Sequence, residues 1–272
     1  MGTKTLNESQ RLSIVKIGGN VIDDAAELKK FLSGFAGIIG KKILVHGGGK
    51  IATDLAAKLN VKQKIVNGRR ITDAETLKIT TMVYAGSLNK EIVALLQERG
   101  LNALGLSGAD LNLVKVSKRA LGEVDFGFVG DIEENGVNAG MLSMLLEAGI
   151  TPVLCSITHD GKGQLYNTNA DTIASVIAVA LSQSYAVQLN YCFEKKGVLN
   201  NVEDSSTVIT ELDLEEYKKL VNNGVIAKGM IPKLDNGFNA VNKGVASVLI
   251  GHSDDLSKMI NENENAGTKL IA

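Results

Sequence analysis

The chain has no tryptophan, only two prolines and two cysteines, and 4% aromatic residues among its 272. Each scarcity excludes something. With so few aromatic rings there is no platform on which bases could stack, and the core must be packed from aliphatic side chains. The cysteines, Cys155 and Cys192, and the histidines, His46, His159 and His252, show no CxxC or HxxxH spacing, so no metal site is expected from them. Cys155 closes an apolar run that starts at Pro152 and reads as a small buried hydrophobe. Neither charge sign dominates: 29 basic residues face 30 acidic ones. That balance lacks the electrostatic footprint of a nucleic-acid or anionic-membrane binder, while leaving small anionic ligands open.

No apolar run approaches the length of a membrane span. The opening MGTKTLNESQRLS is polar, unlike a signal peptide, and Leu6 stands where a myristoylation signal has Ser or Thr. A cytoplasmic protein is expected. Apolar residues make up 44% of the chain, enough for a large core, and no Ser/Gly-rich linker divides it.

Short β-rich runs alternate with helical patterns throughout. Periodicity predicts strands at Leu12–Ile17, Lys42–His46, Asn102–Leu106, Thr151–Cys155, Tyr185–Leu189 and Ala246–Ile250. Between them fall predicted helices at Asp24–Ile39, Lys50–Leu59, Asp73–Arg99, Asn138–Glu147, Ala170–Ser182, Asp213–Asn222 and Ile231–Lys243. One hairpin is predicted over Gln63–Thr72, turning at Asn67-Gly68, and another between Asn112 and Val129. Such alternation implies an α/β fold, a three-layer αβα sandwich around a mostly parallel central sheet. Two lobes would share that sheet, with a soft boundary around residues 155 to 190.

Two glycine-rich turns end consecutive strands: Lys16-Ile17-Gly18-Gly19, and His46-Gly47-Gly48-Gly49 just before a helix. Ligands of open parallel sheets bind beyond the carboxyl ends of the strands, and glycine lets backbone amides come close to an anion. Either turn alone is equally well read as a tight connection; two at one sheet edge point to an anion. The familiar phosphate sites are missing, with no GxxxxGK[ST], no GxGxxG after a strand, no protein-kinase set and no GxSxG elbow.

The motifs VKIGGN at 15–20, VHGGGK at 45–50, NGRRIT at 67–72, GLSGAD at 105–110, YNTNADTIA at 166–174, KGMIPK at 228–233 and GTKLIA at 267–272 are specific in their joint order and spacing. With them the chain resembles the amino acid kinase superfamily, and within it the acetylglutamate kinases. The resemblance implies ATP-dependent phosphorylation of the side-chain carboxylate of an N-acylated glutamate. It gives Lys16 and Lys233 to the transferring phosphoryl group, with Asp171 orienting both lysines. Gly48, Gly49, Arg70 and Asn167 would bind the acylglutamate, with Arg70 clamping the α-carboxylate, a task suited to a planar bidentate donor. Gly18, Gly19, Gly197, Gly229 and Met230 would lie on the nucleotide. The approximate lobes would be 1–170 for acylglutamate and 171–272 for nucleotide. Apart from the resemblance, Asp171 reads first as a helix-start carboxylate, Arg70 as a solvated hairpin residue and Asn167 as a turn residue.

The chemistry agrees with a carboxylate acceptor. A glutamate side chain has a reference pKa of about 4.3 and is ionised at neutral pH, so no general base is required. Magnesium would arrive mostly on the phosphates of ATP. The acyl group is open between acetyl and succinyl; Arg69 could meet an extra carboxylate, but strand neighbours face opposite ways. A different acceptor and a non-catalytic ligand-binding regulator are the other readings. Where relatives carry a Ser/Thr-Asp-Val-x-Gly loop, this chain has Leu189-Asn190-Tyr191-Cys192-Phe193-Glu194-Lys195-Lys196-Gly197, and Lys195 and Lys196 read as a solvated pair. The short segment before the first strand leads to the expectation of a homodimer insensitive to arginine.

Overall fold

The structure, a computed structural model, describes residues 10–66, 68–201, 203–226, 229–260 and 266–272. Asn67 of the predicted turn and Lys228 of the KGMIPK motif lie outside the described residues.

The first half contains β1 (Arg11–Ile17), α1 (Gly19–Ile22), α2 (Ala25–Ala36), β2 (Lys41–His46), α3 (Gly49–Lys58), the hairpin β3 (Lys64–Val66) and β4 (Arg69–Ile71), and α4 (Ala74–Thr81). A π-helical segment, Met82–Leu88, joins α4 to α5 (Asn89–Glu98). Then come β5 (Ala103–Leu106), β6 (Val114–Lys118), β7 (Gly130–Val137), α6 (Ala139–Glu147), β8 (Thr151–Cys155), β9 (Ile157–His159) and β10 (Leu165–Asn167). The remainder holds α7 (Ala170–Leu181), β11 (Ala186–Phe193), β12 (Glu211–Leu212), α8 (Leu214–Asn222), α9 (Ile231–Asn242), β13 (Ser247–His252), α10 (Leu256–Ile260) and β14 (Thr268–Leu270).

Helix starts follow the local sequence closely. Asp24, Asp73, Asn138, Asn169 and Asp213 each cap a helix by accepting a hydrogen bond from an amide of its first turn. Each cap satisfies a donor that would otherwise be orphaned.

Eight strands form one sheet in the order β12-β14-β13-β11-β1-β2-β8-β5. It is parallel from β13 to β5, and β14 runs antiparallel to β13. Strands from both halves of the chain meet at β1, which explains its burial: six of its seven residues are buried, Ser13 and Lys16 among them. Leu28, Phe31, Ile92 and Met259 pack one face of the sheet, while Leu142, Ile173, Leu234 and Phe238 pack the other. These are the three layers expected. At the β5 edge, Lys90 Nζ and Gln97 Nε2 donate to the Gly105 and Ala103 carbonyls, both at 3.0 Å.

Three expectations need correction. The predicted strand Tyr185–Leu189 continues through Phe193, so Asn190, Tyr191 and Cys192 are buried strand residues rather than loop. β1 and β13 supply backbone partners on both sides, which outweighs the low strand propensity of Asn190. The second hairpin is wider than Asn112–Val129, since β6 pairs with β7 at 130–137, whose sequence GDIEENGV carries no alternating apolar signal. The helix predicted over Asp73–Arg99 contains a π-helical turn that hydrophobic spacing could not disclose. β6, β7, β9 and β10 form a second, smaller sheet.

Candidate active site

Lys16 sits one residue from the end of β1, flanked by Val45 of β2 and Tyr191 of β11. Its ammonium lies 2.7 Å from Asp171 Oδ1, and Lys233 Nζ from α9 lies 2.7 Å from Asp171 Oδ2. One carboxylate therefore holds two lysines delivered by separate elements. Asp171 is in the first turn of α7, but Asn169 is the cap there, accepting from the amides of Asp171 and Thr172. With capping done by a neighbour, the Asp171 side chain is free to face the lysines. Tyr191 Oη donates to the Asp171 carbonyl at 3.0 Å and steadies that turn from the sheet side.

The Lys16 and Asp171 side chains are 10% and 7% exposed, so charge is costly there unless paired. Burial pushes the Asp171 carboxyl up, but attraction to Lys16 and Lys233 outweighs it and holds the group down to about 2. Burial lowers the Lys16 ammonium; Asp171 opposes that and the Lys233 charge adds to it.

Lys16 and Lys233 both line a cavity of about 370 Å³. All five residues expected on the nucleotide, Gly18, Gly19, Gly197, Gly229 and Met230, line it too. Sequence reasoning missed Asn20 and also Phe193, Val198, Leu199, Val225 and Ile226, the last five of which make much of its wall apolar. Lys195 and Glu194 also line the cavity, and Lys195 and Lys196 are both exposed, as a solvated pair would be. Gly18 is required by close approach, because a Cβ there would lie 3.1 Å from the Cys192 carbonyl and from Phe193 Cβ. The helix behind Gly18 is one turn long, so what this corner can offer an anion is its amides rather than a helix dipole.

Gly48, Gly49, Arg70 and Asn167 are not in that cavity but form a second cluster. Arg70 Nη2 donates to the Gly49 carbonyl at 2.7 Å and to Thr53 Oγ1 at 2.8 Å, and Nη1 donates to Gln63 Oε1. Asn167 Nδ2 donates to Thr72 Oγ1 at 3.1 Å, tying β10 to the chain just beyond Arg70. A Cβ on Gly47 would lie 4.0 Å from Ala170 Cβ, which places the triple glycine beside the residue preceding Asp171. The lysine–aspartate group thus borders both clusters: a cavity on one side, a glycine turn with an arginine on the other. Gln63, Thr53, His46 and Asn89 were not anticipated; only His46, inside VHGGGK, carried any signal. Among the described residues, no group of three or more His, Cys, Asp or Glu side chains is placed to hold a metal ion.

The model of the amino acid kinase family matches residues 11–252. The chain belongs to the amino acid kinase family. It is 54% identical over 264 residues to the acetylglutamate kinase of Cytophaga hutchinsonii, covering 97% of this chain and 99% of that one. To the acetylglutamate kinase of Bacteroides thetaiotaomicron it is 52% identical over 261 residues, covering 96% and 98%. Among solved structures, N-acetylglutamate synthase from Neisseria gonorrhoeae superposes with a TM-score of 0.81 at 18% identity. That match covers 97% of this chain and 60% of the synthase chain, and it speaks to the amino acid kinase fold alone.

Proposed function

We propose that the chain transfers the γ-phosphoryl group of ATP to the side-chain carboxylate of N-acetylglutamate, as a step of arginine biosynthesis. The observation that carries this is Asp171 holding Lys16 and Lys233 at 2.7 Å each, between the cavity and the glycine–arginine cluster. High identity to acetylglutamate kinases over nearly the whole chain supports the acceptor.

The chemistry follows from charge. A carboxylate oxygen of the acceptor attacks the γ-phosphorus, the bond from γ-phosphorus to the β,γ-bridging oxygen breaks, and its electron pair leaves with ADP. The product is an acyl phosphate. Both partners are anions, so the enzyme's work is to align them and neutralise the charge on the equatorial oxygens. Lys16 and Lys233 serve that purpose, and Asp171 keeps both ammonium groups aimed. ATP occupies the cavity, with its phosphates towards Gly18, Gly19 and the lysines and its base among Val198, Leu199, Val225 and Ile226. Gly197, Gly229 and Met230 complete that wall. Magnesium enters on the nucleotide phosphates, in keeping with a site whose central carboxylate is already engaged by two lysines. Gly48, Gly49, Arg70 and Asn167 hold the acylglutamate, whose α-carboxylate takes over guanidinium donors now spent on Gln63 and Gly49. Residues 1–170 thus bear mainly the acceptor and 171–272 mainly the nucleotide. We place the enzyme in the cytoplasm as a homodimer insensitive to arginine; a hexamer by light scattering, or micromolar inhibition by arginine, overturns that part.

The test is acyl phosphate trapping with hydroxylamine, using MgATP and, in turn, N-acetylglutamate, N-succinylglutamate, glutamate and aspartate. Hydroxamate from N-acetylglutamate is expected. Product only from N-succinylglutamate moves the assignment to that acyl group, and none from any acceptor removes the enzymatic reading.

A further inference from the structure

His46 has no part in the chemistry above, yet it is fully buried at the end of β2, directly before the triple glycine. Its ring nitrogens meet two different partners. Nδ1 lies 2.9 Å from the Gly47 carbonyl oxygen, and Nε2 lies 3.0 Å from Asn89 Nδ2. A carbonyl only accepts, so Nδ1 carries a proton, and an amide nitrogen only donates, so Nε2 is bare; together the two contacts demand the neutral ring with its proton on Nδ1. The amide orientation of Asn89 is determined as well. Asn89 Nδ2 also donates to the Val153 carbonyl at 3.0 Å, while Oδ1 accepts from Lys90 Nζ at 3.2 Å. Exchanging the amide oxygen and nitrogen would set acceptor against acceptor and donor against donor, so the network has one arrangement.

That arrangement acts on the glycine turn. The peptide between Gly47 and Gly48 is a planar trans unit, so the Gly47 carbonyl and the Gly48 N–H point in opposite directions within one plane. Pinning the first fixes the second. Gly48 itself has φ +143, a conformation favoured only for glycine, and a Cβ there would lie 2.8 Å from Leu88 Cδ2. Leu88 closes the π-helical turn, and Asn89 is the next residue. One segment therefore supports the turn from below and anchors the imidazole beside it. Downstream, the Gly48 carbonyl accepts from Ala52 N at 3.0 Å, so the turn is also held from α3.

We propose that His46 and Asn89 are positioning residues that set the direction of the Gly48 N–H towards the acylglutamate. This rests on the reading that the triple glycine and Arg70 hold the acceptor. The experiment compares two substitutions that each keep one half of the imidazole. His46→Asn places an amide nitrogen near the Nδ1 position and can still donate to the Gly47 carbonyl. His46→Gln places an amide oxygen near the Nε2 position and can still accept from Asn89, but it leaves the Gly47 carbonyl without its donor.

His46→Gln is expected to raise KM for N-acetylglutamate about tenfold, with KM for ATP changed less than about twofold. His46→Asn is expected to recover most of that loss, with KM for N-acetylglutamate within about threefold of the parent enzyme. A purely space-filling histidine would give equal KM shifts in the two variants, and that result overturns the inference. Arg70→Gln is the control. If it leaves KM for N-acetylglutamate unchanged, the acceptor reading falls and the inference with it; if it raises KM while the two His46 variants behave alike, the inference alone falls. A long-range ¹H–¹⁵N spectrum of the unsubstituted protein at neutral pH decides the matter if either variant fails to fold. Protonated Nδ1 and bare Nε2 on His46 are expected, and the opposite tautomer refutes the network.

Discussion

Lowering the pH should destabilise this protein through His46, by an amount the structure allows to be worked out. Burial pushes the imidazole from 6.5 down to about 4, against the hydrogen bond to the Gly47 carbonyl, which acts in the opposite sense. The ring's direct partners are neutral: Gly47 offers a carbonyl, Asn89 is an amide, and Cys155 lies opposite on β8 with its thiol pushed up to about 12 by burial. Below pH 6.5 the unfolded chain binds a proton that the folded chain refuses until about pH 4. Stability from this group is therefore complete above 6.5, falls as pH drops, and levels off below about 4. At about 1.4 kcal/mol per pH unit, the loss between pH 8 and pH 5 is about 2 kcal/mol. Urea unfolding at those two pH values, for the parent protein and for His46→Asn, measures it. Carboxylates that also titrate are common to both proteins and cancel in the difference. The parent should lose about 2 kcal/mol more than the variant; a difference under about 0.5 kcal/mol refutes the argument.

Asp171→Asn should lower kcat by about 100-fold or more with a smaller change in either KM, because Lys16 and Lys233 would then repel one another across a neutral amide; steady-state kinetics with near-parental turnover would contradict this. Gly48→Ala should cost about 2 kcal/mol in chemical denaturation and raise KM for the acceptor, since the added methyl meets Leu88 and Tyr84 at an unfavourable φ. Lys42→Met should cost about 1–3 kcal/mol while leaving kcat alone. Lys42 Nζ donates to the Ala36 and Ile38 carbonyls at 2.8 and 2.6 Å, and the substitution leaves both without that donor.

Much of this molecule can be read along the chain, because the signals concerned are local. Five helix starts follow from a single Asp or Asn whose side chain reaches an amide two or three residues on. The inner strands declare themselves as short runs rich in Val, Ile and Leu, since both faces are covered by helices. The order of motifs around Lys16, Asp171 and Lys233 was sufficient to nominate all three. β7 and the far end of β11 were less legible: their residues are strand because a neighbouring strand offers a hydrogen-bonding edge, which local composition does not encode.

An α/β chain, two glycine turns and the candidate charged residues are thus legible in the order of amino acids. Folding in three dimensions is what leaves the cap to Asn169 rather than Asp171, engages both Asp171 oxygens with lysines, and brings Lys195 to the cavity while burying Asn190 in the sheet. Residues 16, 171 and 233 come together because β1 lies in the middle of the sheet with α7 and α9 packed across one face. His46 and Asn89 are 43 residues apart, and nothing in either neighbourhood announces the other. Their pairing depends on a π-helical turn and a strand end meeting in space, and a hydrogen bond whose energy depends on burial can be judged only once the fold has excluded water.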